Sequence, residues 1–234
     1  MQHKTTPETK KFKLLEHEAF QLLEEYGIPY PPYGLARTPD DVKEIVPKIG
    51  FPVVLKIVSP DISHKTDVGG VILGVNSVEE AVKGFEEILN NVRTRAPYAH
   101  VEGVLVQKMV PRGLEVIIGG LRDGVFGTVL MFGLGGVFTE VLRDVTFRVW
   151  PITINEALEM LNDIKGSAIL RGYRSVPPAD LNSLADIIVK LGKLLDEHPE
   201  IESVDFNPVV AYPDQAVVVD ARFILSQPKS PEMV

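Results

Sequence analysis

Two apolar runs near the end of the chain, SVDFNPVV and AVVVDARFI, flank the turn-forming segment AYPDQ. Runs of this kind on both sides of a short polar segment predict an antiparallel β-hairpin. With a tight turn centred between Pro213 and Asp214, Asn207 lies directly opposite Asp220. Opposed side chains in such a pair have Cβ atoms about 5 Å apart. The pattern therefore predicts a strand register together with a close pair of polar side chains.

The polar residues of this hairpin have the chemistry of a cation site. Asp205 and Asn207 are two residues apart, so on a strand they share one face. Asp220 interrupts an apolar run, where a lone carboxylate needs a partner. A site with a small number of oxygen ligands and no His or Cys suits Mg²⁺. This ion keeps several waters and accepts phosphate oxygens as further ligands. We interpret Asn207 and Asp220 as Mg²⁺ ligands; the alternative is a surface hairpin whose polar residues face water.

Helical periodicity marks five segments of the chain. Apolar residues at helical spacing predict a first helix from Lys11 to Tyr26, followed by a turn-rich link, GIPYPPYGLA. The second helix is expected to open at Thr38 with Pro39 at its first position, and the third to be capped by Ser77. Two more helices are predicted at about 154–164 and 180–197.

Strand patterns occur in PVVLKIVS, GGVILGV, VEGVLVQKMV, LEVIIGGLRD and GTVLMFGLGG, besides the final hairpin. Strands and helices do not alternate strictly, which favours an α+β fold in two lobes over a doubly wound sheet. We expect an N-terminal tail and helix at 1–27, with 1–10 as a frayed end, an N-terminal lobe at 28–110 and a C-terminal lobe at 111–234.

The charge balance argues against two classes of partner. The chain of 234 residues has 32 acidic and 24 basic side chains and a net charge of −8, which repels nucleic acid and anionic membranes. It has no cysteine, which excludes disulfides and thiolate metal sites and fits a reducing compartment. The polar N-terminal segment and the lack of an apolar run of about 20 residues predict neither a signal peptide nor a membrane span. We expect a cytoplasmic protein.

Three further features have both a functional and an ordinary interpretation. Lys56 lies within VVLKIV, so it occupies either an exposed edge position or a buried position beside an anion such as a nucleotide phosphate. His64 precedes Gly69 and Gly70 in SHKTDVGG, although most loop histidines have no chemical role. The segment GLGG, 133–136, allows close approach of backbone amides to phosphate, but hairpin turns have the same composition.

Taken in order, these segments resemble one family. EHEAFQLLEEYGIPYPPYGLA, FPVVLKIVSPDISHKTDVGGV, the stretch from VLVQKMV to LRDVTFRV, and SVDFNPVV with VVVDAR are similar to the β subunit of ADP-forming acetyl-CoA synthetase, an ATP-grasp chain. The resemblance covers about residues 11–225. It implies an ATP-grasp fold, with two α+β lobes that clasp a nucleotide.

The resemblance also implies roles for individual residues. Lys56 would face the nucleotide phosphates, Glu115 would contact the ribose side, and Asn207 and Asp220 match the magnesium ligands of related succinyl-CoA synthetases. Those relatives carry Glu-x-Asn where this chain has Asp205-Phe206-Asn207, so the carboxylate here is shorter. The remaining nucleotide contacts implied are the loop glycines and the hinge along the adenine: Gly69, Gly70, Gly135, Gly136, Gln107, Lys108, Met109 and Val110.

The reaction implied by the family is a phosphoryl relay. Acyl-CoA and phosphate give acyl phosphate and CoA on an α subunit, an α histidine takes the phosphoryl group, and the group is delivered to ADP on the β subunit. His64 would be a second carrier, since a neutral imidazole is both a good nucleophile and a good leaving group, and Asp205 would lie beside the partner's phosphohistidine. An α2β2 assembly is implied. The alternatives are an ATP-grasp regulatory module of a larger acyltransferase and a self-sufficient ATP-grasp ligase.

Overall fold

Two antiparallel sheets organise the residues described by the computed structural model, 11–136 and 144–226. The smaller sheet has the strand order β2-β5-β3-β4. Its strands are β2 (Tyr33–Ala36), β3 (Val53–Val58), β4 (Val71–Val75) and β5 (Gly103–Lys108). Two helices pack on this sheet, α2 (Pro39–Ile49) and α3 (Val78–Arg95).

The larger sheet has seven strands in the order β1-β11-β9-β6-β7-β8, with β10 paired to β9. The strands are β1 (Lys11–Lys13), β6 (Leu114–Asp123), β7 (Gly127–Leu134), β8 (Val145–Val149), β9 (Ile201–Ala211), β10 (Ala216–Val218) and β11 (Ala221–Ser226). Its helices are α1 (Glu16–Glu25), α4 (Ile154–Asp163), α5 (Ser167–Leu170) and α6 (Leu181–Glu197). This mixture of helices with antiparallel sheets confirms the predicted α+β class.

Each sheet has its own hydrophobic core. The smaller core packs β3 and β5 against α2 and α3, and the larger core packs α1, α4 and α6 against the larger sheet. Ala19, Phe20 and Leu23 of α1 are fully buried in the larger core, although α1 precedes the smaller sheet in the chain. Burial of side chains such as Phe20 and Leu23 contributes about 1.5 to 3 kcal/mol each. Along the described residues, β1 therefore belongs to the larger sheet, β2 to β5 form the smaller sheet, and β6 to β11 complete the larger sheet.

The predicted starts of α2 and α3 are confirmed by their caps. Thr38 Oγ1 accepts a hydrogen bond from the Asp41 amide at 3.2 Å, and Pro39 occupies the first helical position. Ser77 Oγ accepts from the Glu80 amide at 3.1 Å. These side chains satisfy amides that have no partner within the helix.

The register predicted for the final hairpin is also confirmed. Val218 pairs with Val209, and Arg222 pairs with Asp205. Between these pairs the Asn207 amide donates to the Asp220 carbonyl at 3.1 Å. The run interpreted as one strand is divided into β10 and β11, but the same register continues on both sides of the break.

Three strand segments differ from the sequence-based expectation, and the short helix α5 (Ser167–Leu170) was not predicted. The first helix starts at Glu16 rather than Lys11, because Lys11–Lys13 forms a strand that pairs with β11. Tyr33–Ala36, interpreted as part of a link, is a strand paired with β5, and Val145–Val149 is a strand that was not predicted. The first two of these short strands pair with strands distant in sequence, so local periodicity does not reveal them. Within 11–136 and 144–226, no helix combines the length and apolar character of a membrane span.

Candidate functional site

A cavity of about 470 Å³ lies between the loop that follows β3 and the β9–β11 region of the larger sheet. The smaller-sheet side contributes Lys56 and the loop residues 63–67. The larger-sheet side contributes Asp205, Asn207 and Asp220, with Pro208, Val219 and Arg222 beside them. His64, Lys56 and the three polar residues predicted on the hairpin thus line a single cavity, although they come from distant parts of the chain.

Asn207 and Asp220 form a donor set that fits Mg²⁺. They lie opposite each other across the hairpin and line the same cavity, and the Asp220 side chain is 38% exposed. Among the described residues, no group of three or more His, Cys, Asp or Glu side chains is arranged to hold a metal. Mg²⁺ does not need such a group, because one or two protein oxygens with waters and phosphate oxygens complete its coordination.

Lys56 is buried in the middle strand pair of the smaller sheet, at 7% exposure. The alternative of an exposed edge position is therefore wrong. Its Nζ donates to Glu16 Oε1 at 2.7 Å and to the Val219 carbonyl at 3.1 Å. The anion that a buried ammonium requires is thus supplied by α1.

Glu16 was not predicted as a site residue, although the sequence contains a signal for it. With Ala19, Phe20 and Leu23 it occupies the buried face of α1, and a carboxylate on such a face needs a cationic partner. Burial raises the pKa of Glu16, but the neighbouring charges of Lys56 and Lys65 outweigh this effect and hold the pKa below its usual value. Glu16 is therefore ionised at neutral pH.

Lys65, the residue after His64, lies between two carboxylates. Its Nζ donates to Glu16 Oε2 and lies 3.6 Å from Asp220 Oδ2. Burial lowers the pKa of Lys65. The negative charges of Glu16 and Asp220 raise this pKa by more than burial lowers it, so the net shift is upward. The predicted metal ligand Asp220 is consequently connected to Glu16 through one ammonium group.

The loop that carries His64 is held by its own backbone. The Gly69 amide donates to the Thr66 carbonyl at 3.0 Å, and the Gly70 amide donates to the Lys65 carbonyl at 2.7 Å. A Cβ on Gly70 would lie 2.4 Å from Ile57 Cγ2, so glycine is needed there for packing. His64 itself is exposed. The two glycine amides are thus bonded within the loop, and their predicted contact with a nucleotide stays a prediction.

Asp205 lines two cavities. Besides the first, it borders one of about 500 Å³ over the open face of the larger sheet, whose lining includes Gly119, Met131 and Phe147. Burial raises the pKa of Asp205, Asp220 raises it further, and Arg222 opposes them, with an upward net shift. Asp205 is therefore placed where the site opens onto an apolar surface.

None of the predicted hinge residues lines the cavity, but Gln107 contacts Val219, which does. The Gln107 side chain is buried and donates to the Val219 carbonyl at 3.1 Å. The backbone amide of Met109 donates to Pro52, and that of Gly135 donates to the Glu115 carbonyl at 2.8 Å. The cavity of about 470 Å³ is lined by Lys56 but not by the other predicted nucleotide contacts, whose roles stay predictions: Gly69, Gly70, Gln107, Lys108, Met109, Val110, Glu115, Gly135 and Gly136.

Comparison with known proteins agrees with this geometry. Residues 6–225 match the family model described as an ATP-grasp domain. The chain is 50% identical over 212 residues to the β subunit of acetate–CoA ligase [ADP-forming] I from Pyrococcus furiosus, covering 91% of each chain. It is 50% identical over 210 residues to acetate–CoA ligase [ADP-forming] I from Archaeoglobus fulgidus, covering 90% of this chain and 30% of that one.

Solved structures of a dinucleotide-forming acetyl-coenzyme A synthetase 1 from Ca. Korarchaeum cryptofilum are similar to this chain over nearly its whole length. The complex with coenzyme A, Ca-AMPCP and HgCl⁺ has a TM-score of 0.89 and 47% identity, and covers 92% of this chain and 93% of that one. Another, with coenzyme A and Mg-AMPPCP, has its phosphohistidine segment pointing towards the nucleotide-binding site; its TM-score is 0.79 and its identity 45%, covering 91% and 92%.

Proposed function

Because the chain belongs to the ATP-grasp family, we propose that it is the nucleotide-binding β subunit of an ADP-forming acyl-CoA synthetase that acts on acetyl-CoA. The overall reaction converts acyl-CoA, ADP and phosphate into the free acid, CoA and ATP. The observation that carries the proposal is the cavity that His64 shares with Asn207 and Asp220. A phosphoryl carrier and a magnesium site are useful together only where a phosphoryl group is transferred.

His64 is proposed as the carrier within this chain. A ring nitrogen of His64 attacks the phosphorus of the partner's phosphohistidine, so that one N–P bond forms as the other breaks. A terminal phosphate oxygen of ADP then attacks the same phosphorus, and the His64 imidazole leaves as the O–P bond of ATP forms. The exposed position of His64 on the loop after β3 supports this role, because a carrier must reach both a partner and a nucleotide.

The surrounding residues would supply charge and position. Asn207 and Asp220 would hold Mg²⁺, which neutralises phosphate oxygens when bound. Lys56 and Lys65 place two ammonium groups at the cavity, where positive charge stabilises a moving phosphoryl group. Asp205, at the opening of the cavity onto the larger sheet, is the proposed contact to the partner's phosphohistidine.

We infer that the chain works with an α subunit. The relative from Archaeoglobus fulgidus is a single longer chain of which this one covers 30%, whereas the relative from Pyrococcus furiosus is a separate β subunit of similar length. The α subunit would carry the CoA-binding domains and the first phosphohistidine, in an α2β2 assembly. We place this assembly in the cytoplasm, in keeping with a cysteine-free chain.

The proposal is tested by mixing the purified chain with its α subunit and measuring ATP formation from ADP, phosphate and several acyl-CoAs. We expect His64→Ala to abolish ATP formation while the α subunit is still phosphorylated by acyl-CoA and phosphate. His100→Ala is the matched control, because His100 is also exposed but pairs with Glu102 outside the cavity. Near-normal ATP formation by His64→Ala refutes the carrier role. A wild-type assembly that binds ADP without forming ATP favours a regulatory module.

A further inference from the structure

Glu16 is the anion that ties two lysines of the candidate site together. It lies in the first turn of α1 and is 5% exposed. Its Oε1 accepts from Lys56 Nζ at 2.7 Å, and its Oε2 accepts from Lys65 Nζ. Each carboxylate oxygen thus serves a different ammonium group, one on β3 and one on the loop that carries His64. Glu16 reaches both from a helix that is packed in the core of the larger sheet.

Lys65 has a second carboxylate within reach. Its Nζ lies 3.6 Å from Asp220 Oδ2, and the Asp220 side chain is 38% exposed while that of Glu16 is 4% exposed. Attraction between opposite charges is stronger where less water screens it. The buried Glu16 is therefore the stronger competitor for Lys65, and it keeps the ammonium group at a distance from Asp220 that is longer than a direct hydrogen bond.

This distance matters because Asp220 is a proposed magnesium ligand. A Lys65 ammonium bonded directly to Asp220 would occupy the oxygens that Mg²⁺ needs. We propose that Glu16 is a positioning residue that draws Lys65 away from Asp220 and so keeps this carboxylate available to the cation. The inference rests on the proposed function, because it takes Asp220 to be a magnesium ligand.

The test is a double-mutant cycle on the full chain, with ADP binding measured by calorimetry at a series of Mg²⁺ concentrations. We expect Glu16→Gln to raise the Mg²⁺ concentration for half-maximal ADP binding by about tenfold, the effect typical of losing a partner of a metal ligand. Lys65→Met removes the competing ammonium group. Lys65 is itself one of the charges proposed at the cavity, so we expect the double variant to require less Mg²⁺ than Glu16→Gln without matching the wild type, a rescue that a loss of packing alone would not produce.

Glu18→Gln is the matched control. Glu18 Oε2 accepts from the Leu15 amide at 2.8 Å in the same turn of α1, so its loss weakens the helix start without touching either lysine. We expect a lower melting temperature and an unchanged Mg²⁺ requirement. If circular dichroism shows that Glu16→Gln is unfolded, Glu16→Asp takes its place, since the shorter side chain withdraws from Lys65 and should shift the Mg²⁺ requirement in the same direction.

The outcomes separate the two proposals. A Glu16 variant with an unchanged Mg²⁺ requirement, or a double variant as impaired as the single one, refutes the role of Glu16 while the wild type still binds Mg²⁺ and ADP. A wild-type chain whose ADP binding does not depend on Mg²⁺ refutes the magnesium site of the proposed function, and the role of Glu16 falls with it.

Discussion

The Gln107 side chain donates to the backbone carbonyl of Val219 at 3.1 Å, and the same carbonyl accepts from Lys56 at 3.1 Å. Gln107 and Lys56 belong to the smaller sheet, whereas Val219 lies between β10 and β11 of the larger sheet, next to Asp220. One carbonyl oxygen therefore links the smaller sheet to the segment that presents the proposed magnesium ligand.

We expect Gln107→Leu to lower the free energy of unfolding by about 1 to 2 kcal/mol, since it removes one hydrogen bond at a buried position. Because Val219 precedes Asp220, the variant should also weaken Mg²⁺-dependent ADP binding. Urea denaturation and calorimetry measure the two effects. Gln21→Leu, exposed on α1, is the control and should change the free energy of unfolding by less than about 0.5 kcal/mol. Equal stability of Gln107→Leu and the wild type would contradict the link.

Asp220→Ala should make ADP binding insensitive to Mg²⁺. The variant removes the carboxylate of the Asn207–Asp220 pair, and a single amide oxygen is a poor ligand set for this cation. Calorimetry with and without Mg²⁺ measures the effect. Asp214→Ala changes an exposed carboxylate in the turn of the same hairpin and should behave like the wild type. The metal assignment is wrong if a folded Asp220→Ala chain keeps the wild-type response to Mg²⁺.

Asp205→Ala should impair phosphorylation of the α subunit's histidine more than it impairs ADP binding by this chain. Asp205 lies where the site opens onto the larger sheet, on the route proposed for the partner. The assay measures incorporation of labelled phosphate into the α subunit in the assembled complex. Asp67→Asn, on the same cavity and also acidic, provides the comparison. Equal incorporation with Asp205→Ala and Asp67→Asn would remove Asp205 from the route.

The stability difference between wild type and Glu16→Gln should depend on pH. The depressed pKa of Glu16 means that its carboxylate stabilises the fold above its unfolded pKa of about 4.3, and this contribution disappears as pH falls through the lower folded value. Lys13, Lys56 and Lys65 are the cationic groups around it.

At neutral pH the variant leaves the buried ammonium group of Lys56 without its anion, which costs about 3 to 5 kcal/mol. The difference between the urea midpoints should therefore begin to shrink below about pH 4.3 and vanish only below the lower folded pKa of Glu16, where the wild type has lost the same interaction. A difference that stays constant through acid would show that Glu16 contributes packing rather than charge.

Local sequence was sufficient for the hairpin and for the starts of the second and third helices. Asn207 and Asp220 were predicted as neighbours because a tight turn fixes the register of both strands, and Thr38 and Ser77 were predicted as caps because capping needs only the next three residues. The register and the caps therefore follow from interactions within a few residues of each other.

Long-range contacts were beyond the reach of such patterns. Glu16 lies on α1, which packs on the larger sheet, and it binds Lys56 of the smaller sheet. No periodicity in either segment specifies that pairing. Gly70 was interpreted through phosphate chemistry, yet its need for glycine comes from the Ile57 side chain against it. Both contacts join packing partners that the chain brings together only on folding.

The pairing of β1 with β11 has a consequence for biosynthesis. Lys11 pairs with Ser226, so the edge of the larger sheet joins the start of the described chain to its end. A ribosome must therefore translate the chain as far as Ser226 before the pairing of β1 with β11 can be completed. The smaller sheet has no such delay, since its four strands lie between residues 33 and 108, and it can form while the larger half is still being translated.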